Sequence, residues 1–194
     1  MINIQISDEI KALIFDCDGT LVDSMPLHMK AWEKSFQFFN QNFDHDYLYS
    51  LKGMKELEII GLYNEKFGTK INAKGMVAKK HEYFLENIYS VKPIEEVVDI
   101  AKKYFNKLPL AIVSGSAKNI VEKELEVVGI LHLFQIILTG SDLFKPKPSP
   151  DIFFAAAESV NVLPERCLVF EDADSGIEAA EKAGMKTIDV RKFI

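Results

Sequence analysis

Long apolar runs, basic stripes, internal repeats and low-complexity tracts are all missing from this sequence, and only two cysteines occur in it. No stretch approaches the roughly 20 apolar residues that cross a bilayer, so no membrane span or membrane partner is expected. Lys and Arg number 23 against 29 Asp and Glu, a net charge of -6. The bases never gather into a dense patch, so nucleic-acid binding has no electrostatic support. The opening "MINIQISDEI" lacks a basic segment followed by an apolar one, and no signal peptide is expected. Cys17 and Cys167 read as reduced, buried, small hydrophobes rather than a disulfide, and a cytoplasmic location follows by elimination. No interface signature stands out, so a monomer without a protein partner is the expectation.

What is present suits a soluble globular protein: 194 residues, 48% hydrophobic and 27% charged, enough for one generous domain or a core with an insert. The apolar run 10–15 reads as a buried strand. Helical patterns follow at about 26–40, with Leu27, Ala31, Ser35 and Phe38 on one stripe, and at 55–67 and 73–89, with no convincing strand between them. Trp32, Phe36 and Phe39 read as the core of that helical stretch. After Pro93 the rhythm becomes helix 94–105, strand 108–113, helix from 118 to Gly129, strand 135–139, helix 150–160, strand 167–171, helix from 175 to Gly184, and the strand "KTIDV". Alternation of this kind predicts an α/β fold: a Rossmann-like parallel sheet with helices on both faces, joined by right-handed crossovers. The core would comprise 1–22 and 93–194, and an all-helical insertion would occupy 23–92. The charged runs Lys79-Lys80 and Glu122–Glu126 read as solvated faces, while His45, His81 and His132 receive no role. Asp174 or Ser175, the latter spaced from Glu178 like a capping box, is expected to cap the last helix.

Ligands of open parallel sheets bind beyond the carboxyl ends of the strands. Each unusual polar cluster falls at such an end: Asp16 and Asp18 in "FDCDGT", Ser114-Gly115-Ser116, Lys147 in "KPKPSPD", and Glu171-Asp172. Four acids on one rim repel one another unless a cation joins them. Oxygen ligands of this kind suit Mg²⁺, which keeps waters and accepts phosphate oxygens. A carboxylate such as Asp16 can attack phosphorus, and an acid two residues on, Asp18, can protonate a leaving oxygen and then activate water. Ser114 and the amides at Gly115 could hold phosphoryl oxygens, and Lys147 would add fixed positive charge.

The ordered set resembles the four motifs of the haloacid-dehalogenase superfamily, over nearly the whole chain. Within it the sequence is similar to the β-phosphoglucomutase-like subgroup, nearest its short fructose-1-phosphatase-like members, which carry a helical cap between the first and second motifs. The resemblance implies that Asp16 is nucleophile and metal ligand, and that Asp18 is general acid/base with its backbone carbonyl on the metal. Asp172 would be the second carboxylate ligand, Glu171 would lie at or just behind the metal, and Ser114 and Lys147 would bind the transferring phosphate. In the cap it implies Ser24 and His28 at the hinge, Lys79 at the substrate, and Gly53 of "LKG" in the specificity loop. A mutase arginine of that loop becomes Glu56 here, with Lys55 one residue away as a substitute. That departure favours a Mg²⁺-dependent phosphatase of small phosphorylated sugars or sugar acids, acting through an aspartyl-phosphate, over a β-phosphoglucomutase that interconverts β-glucose 1-phosphate and glucose 6-phosphate. A non-catalytic binding protein is disfavoured because each catalytic position holds a competent residue. A hydrolytic dehalogenase is disfavoured because it needs neither Asp18 nor Asp172.

Overall fold

The computed structural model describes residues 4–194. Five strands, β1 (Ala12–Phe15), β4 (Leu110–Val113), β5 (Ile136–Leu138), β6 (Cys167–Glu171) and β7 (Lys186–Asp189), form one sheet in the order β5-β4-β1-β6-β7. Every pairing is parallel, with Leu13 opposite Leu110 on one side and Leu168 on the other. A parallel sheet must be covered on both faces, and the residues alternate accordingly. Leu13, Phe15, Ile112 and Phe170 pack in one cluster with Val97, Val98 and Ala101 of α5 (Glu95–Tyr104) and Val121 and Leu125 of α6 (Lys118–Val127). Ala12, Ile14, Val113 and Val169 pack in another with Phe153 and Ala156 of α7 (Asp151–Ser159) and Ala179 and Ala180 of α8 (Asp174–Lys182). The first face takes large side chains, including the stacked rings of Phe15 and Phe170 at 4.8 Å. The second takes mainly small ones. Each fully buried large side chain contributes about 1.5–3 kcal/mol.

Between the short strands β2 (Val22–Asp23) and β3 (Lys92–Pro93), which pair antiparallel, lie α1 (Met25–Phe38), α2 (His45–Ser50), α3 (Glu56–Phe67) and α4 (Ala73–Glu86). They share a core of their own, in which Trp32, Phe36, Leu48, Ile60, Tyr63 and Met76 are buried. The buried stripe of α1 runs through His28, Ala31, Trp32, Ser35 and Phe36; Phe38, expected on it, is 61% exposed, and Phe39 is exposed as well. Helix α2 and the β2–β3 pair are additions to the expected elements, each too short for a periodic signal. Helix α4 gives way to a 3-10 turn at Ile88–Ser90 instead of running on to Tyr89. The expected cap of α8 is corrected too: Ala173 is its N-cap, with no side-chain cap bond. The helix starts one residue too early for Asp174 to serve and two too early for Ser175, whose hydroxyl reaches Lys52 O at 3.3 Å. Among the described residues no helix is long and apolar enough to cross a membrane. Both cysteines are free and buried.

Candidate active site

Strand β1 ends by turning its backbone into the site while keeping its register. Asp16 N still donates to Phe170 O at 3.0 Å, and Ser114 N to Leu138 O at 3.0 Å. The residues after the strands are therefore held as rigidly as the sheet, which is what a precise site needs. Lys147 reaches across from the loop before α7. Its ammonium donates to Asp16 Oδ1 at 2.8 Å, Glu171 Oε2 at 2.7 Å and Val113 O at 3.1 Å, so all three of its hydrogens are used. Glu171 is wedged beneath the first turn of α8, where Oε1 accepts from the amides of Asp172 and Ala173 at 3.2 and 3.0 Å. Gly176 makes that possible, since a Cβ there would lie 2.0 Å from Glu171 Oε2.

Asp16, Glu171 and Asp172 are all buried, and each offers an oxygen within 4.8 Å of the others. Burial, and then the charge of Glu171, hold the Asp16 carboxyl well above the usual carboxylate range despite Lys147. Burial likewise raises Glu171 against the pull of the same lysine. Lys147 itself is held above its ordinary value, because Asp16 and Glu171 outweigh the burial that would lower it. The cluster is thus short of positive charge even with a lysine in it. Its donors are hard oxygens, so the residues fit a hard divalent cation. Lys52 Nζ also reaches Asp172 Oδ2, at 2.5 Å.

Asp18 is held differently. His28 Nε2 at 2.6 Å and the Ser24 hydroxyl at 2.7 Å bond its Oδ1; the hydroxyls of Ser116 at 2.7 Å and Ser114 at 3.4 Å bond its Oδ2. Burial alone would raise this carboxyl, but His28 and the hydroxyls outweigh it and hold Asp18 far below the usual range. In this arrangement Asp18 is ionised and fully engaged. Behind it, Lys80 Nζ lies 2.6 Å from His28 Nδ1 and pairs with Glu56, whose other oxygen meets His81 Nε2 at 2.5 Å.

The loop after α2 docks the helical unit on the sheet. Gly53, at φ +82°, sits so near Gly115 that a Cβ on Gly115 would lie 2.4 Å from Gly53 O. A narrow cleft remains between them, with Asp16, Asp18 and Gly115 on its floor and Trp32, Met54 and Ile59 on its roof.

Asp16, Asp18, His28, Gly53 and Gly115 line this cleft; Ser24 and Ser114 bond Asp18 behind it, and Lys147, Glu171 and Asp172 gather around Asp16. Two of the cap expectations are corrected. Lys79 is on the outer face of α4, paired with Glu82 at 2.5 Å, and its neighbour Lys80 faces the cleft. Lys55 donates to the carbonyls of Asp142 and Phe144 at 2.7 and 2.6 Å, so its charge is spent latching loop to loop. The runs read as solvated conceal two buried groups, Lys80 and Glu124. Their spacing was the missed signal: Lys80 continues the stripe of Met76 and Phe84, and Glu124 that of Ile120 and Val121. His81, given no role, holds Glu56.

Residues 13–190 match the family model described as haloacid dehalogenase-like hydrolase. The chain belongs to that family. It is 34% identical over 180 residues to fructose-1-phosphate phosphatase YqaB of Escherichia coli strain K12, covering 92% of this chain and 95% of that one. It is 31% identical over 193 residues to β-phosphoglucomutase of Bacillus subtilis strain 168, covering 93% and 83%. Its fold is similar to the crystal structure of β-phosphoglucomutase from Clostridium difficile, with a TM-score of 0.77 at 28% identity over 92% of this chain and 83% of the other.

Proposed function

We propose that this hydrolase is a Mg²⁺-dependent phosphatase of small phosphorylated sugars or sugar acids, working through an aspartyl-phosphate on Asp16. The observation that carries the reading is the meeting of Asp16, Glu171 and Asp172 around Lys147 at the floor of a cleft roofed by helices. The named relatives, a fructose-1-phosphate phosphatase among them, support the substrate class. Asp16, Glu171 and Asp172, with the backbone carbonyl of Asp18, would hold the ion. Bound Mg²⁺ would screen the phosphate dianion from Asp16 and stabilise charge developing in the transition state. Lys147 orients Asp16 for attack on phosphorus, while the Ser114 hydroxyl and the amide at Gly115 hold the phosphoryl oxygens. A proton that the phosphate brings in as its monoanion passes to Asp18, and as the phosphorus–oxygen bond to the sugar breaks Asp18 delivers it to the leaving oxygen. Asp18 then takes a proton from water as the water attacks phospho-Asp16, releasing inorganic phosphate and restoring the carboxylate. The helical unit of α1–α4 acts as a cap that excludes bulk water and opens to exchange product.

A mutase must grip a bisphosphate at both ends. Here Glu56 is tied to Lys80 and His81, and Lys55 is spent on carbonyls, so the phosphatase is the better reading. The test is a panel of hexose phosphates with Mg²⁺, including β-glucose 1-phosphate with and without its bisphosphate. We expect inorganic phosphate from the wild type and none from Asp16→Asn. Glucose 6-phosphate formed only when bisphosphate is added would make the protein a mutase instead.

A further inference from the structure

Glu124 is buried where a polar group is hardest to justify. Its side chain on α6 is wholly enclosed, and among the described residues Oε2 accepts only a long contact from the Cys17 thiol at 3.6 Å and Oε1 has no hydrogen-bond partner. Native interiors leave few polar atoms in that state, and each calls for a reason. Oε1 looks at His28 Nε2 across 3.6 Å, the same nitrogen that bonds Asp18 Oδ1 at 2.6 Å. Lys80 lies 2.6 Å from the other ring nitrogen, Nδ1. An ammonium has no lone pair, so Nδ1 accepts and Nε2 carries the ring hydrogen. One N–H therefore stands before two acceptors, one engaged and one vacant.

The phosphatase reading, on which this inference rests, requires Asp18 to serve a leaving oxygen and then a water. Both oxygens of Asp18 are taken up by His28 and the three serines. Hydroxyls rotate freely to other acceptors, but an imidazole N–H does not. His28 is 5% exposed and its ring is stacked on Phe84 at 4.2 Å, so solvent cannot replace a lost acceptor. We propose that Glu124 is a positioning residue, the standby acceptor that receives the His28 N–H when Asp18 turns to the reacting oxygen. The exchange loses one hydrogen bond and makes one. Oε1 accepts whether or not Oε2 carries a proton. Because α6 follows directly from the phosphate-holding loop and His28 belongs to α1, the exchange also keeps the helical unit tied to the core during turnover.

The test uses the full-length protein. Glu124→Leu removes the acceptor, and kcat is expected to fall about tenfold with KM unchanged. Its melting temperature should stay level or rise, since an apolar group replaces a poorly satisfied one. Glu124→Gln keeps a carbonyl facing His28 and should hold kcat within about threefold of wild type. A kcat that stays at the wild-type value in Glu124→Leu, or that falls only in step with melting temperature, overturns the proposal. A second measurement needs no turnover: the imidazole N–H of His28, observed by NMR in ¹⁵N-histidine protein and assigned with His28→Asn. It should remain hydrogen-bonded in Asp18→Ala and be lost in Asp18→Ala/Glu124→Leu. Its loss in Asp18→Ala alone, or its survival in the double variant, overturns the proposal. If the wild type releases no phosphate from any sugar phosphate, the phosphatase reading falls and the NMR comparison still decides whether Glu124 takes the hydrogen.

Discussion

Lys147 shares one ammonium between Asp16 and Glu171 in a space closed to solvent. Removing one member of a buried ionic group is far costlier than never having built it, because the remaining charges are stranded. Lys147→Met should therefore lose about 3–5 kcal/mol in urea unfolding and all turnover; a variant of wild-type stability would mean that the carboxylates pair elsewhere. Glu56 offers a pH-dependent counterpart. Burial would raise its carboxyl, yet Lys80 and His81 outweigh burial and hold it at about 2, below its ordinary 4.5. The folded state thus binds this proton less readily than the unfolded state, and the stabilisation is complete above about pH 5 and drains away as pH falls toward 2. Melting temperature followed from pH 6 to 2.5 should drop more steeply in wild type than in Glu56→Gln, and parallel curves would refute the assignment. The acids and lysine at strand ends could be named from sequence because their position after a strand is a local property. Lys80 and Glu124 escaped because a charge on an apolar stripe is read by default as solvent-facing, and only the packing of α1 against α4 and α6 reverses it.

Helix α8 begins directly over Glu171, and the clearance depends on a single missing side chain. A Cβ at Gly176 would lie 2.0 Å from Glu171 Oε2, so Gly176→Ala must displace either the helix or the carboxylate. Displacing the residues that orient a metal's ligands typically costs 10–100-fold in affinity, and titration calorimetry of Gly176→Ala with Mg²⁺ should show at least about a tenfold loss. Unchanged Mg²⁺ affinity would place Glu171 outside the metal's influence. The core elements could be read from the sequence almost entirely, because strands β1, β4 and β6 are continuous apolar runs and the helices between them carry a clear period. The ends were less readable. Whether α8 starts at Asp174 or Ser175 is settled by the bonds that Ser175 and Asp174 make elsewhere, to Lys52 O and to Arg191, and those contacts are not local.

At the scale of the molecule, the contacts that close the cleft join residues far apart in the chain: Lys52 with Asp172, Lys55 with Asp142 and Phe144, and Gly53 with Gly115. None of them leaves a periodic trace, which is why Lys55 was expected at the substrate. Closure has a built-in reporter. Trp32 is the only tryptophan and lines the cleft roof, with Lys80 Nζ 5.3 Å from its ring. Adding Mg²⁺ and the preferred sugar phosphate to Asp16→Asn should change its fluorescence saturably, at the concentration where calorimetry shows binding. Binding without any change in emission would argue against a mobile roof. The antiparallel pairing of Val22–Asp23 with Lys92–Pro93 has a further consequence. The polypeptide enters and leaves 24–91 through these two adjacent strands, so one two-stranded strap carries both connections. The other ties to the floor, Lys52 with Asp172 and Gly53 against Gly115, are non-covalent and can part while the strap holds.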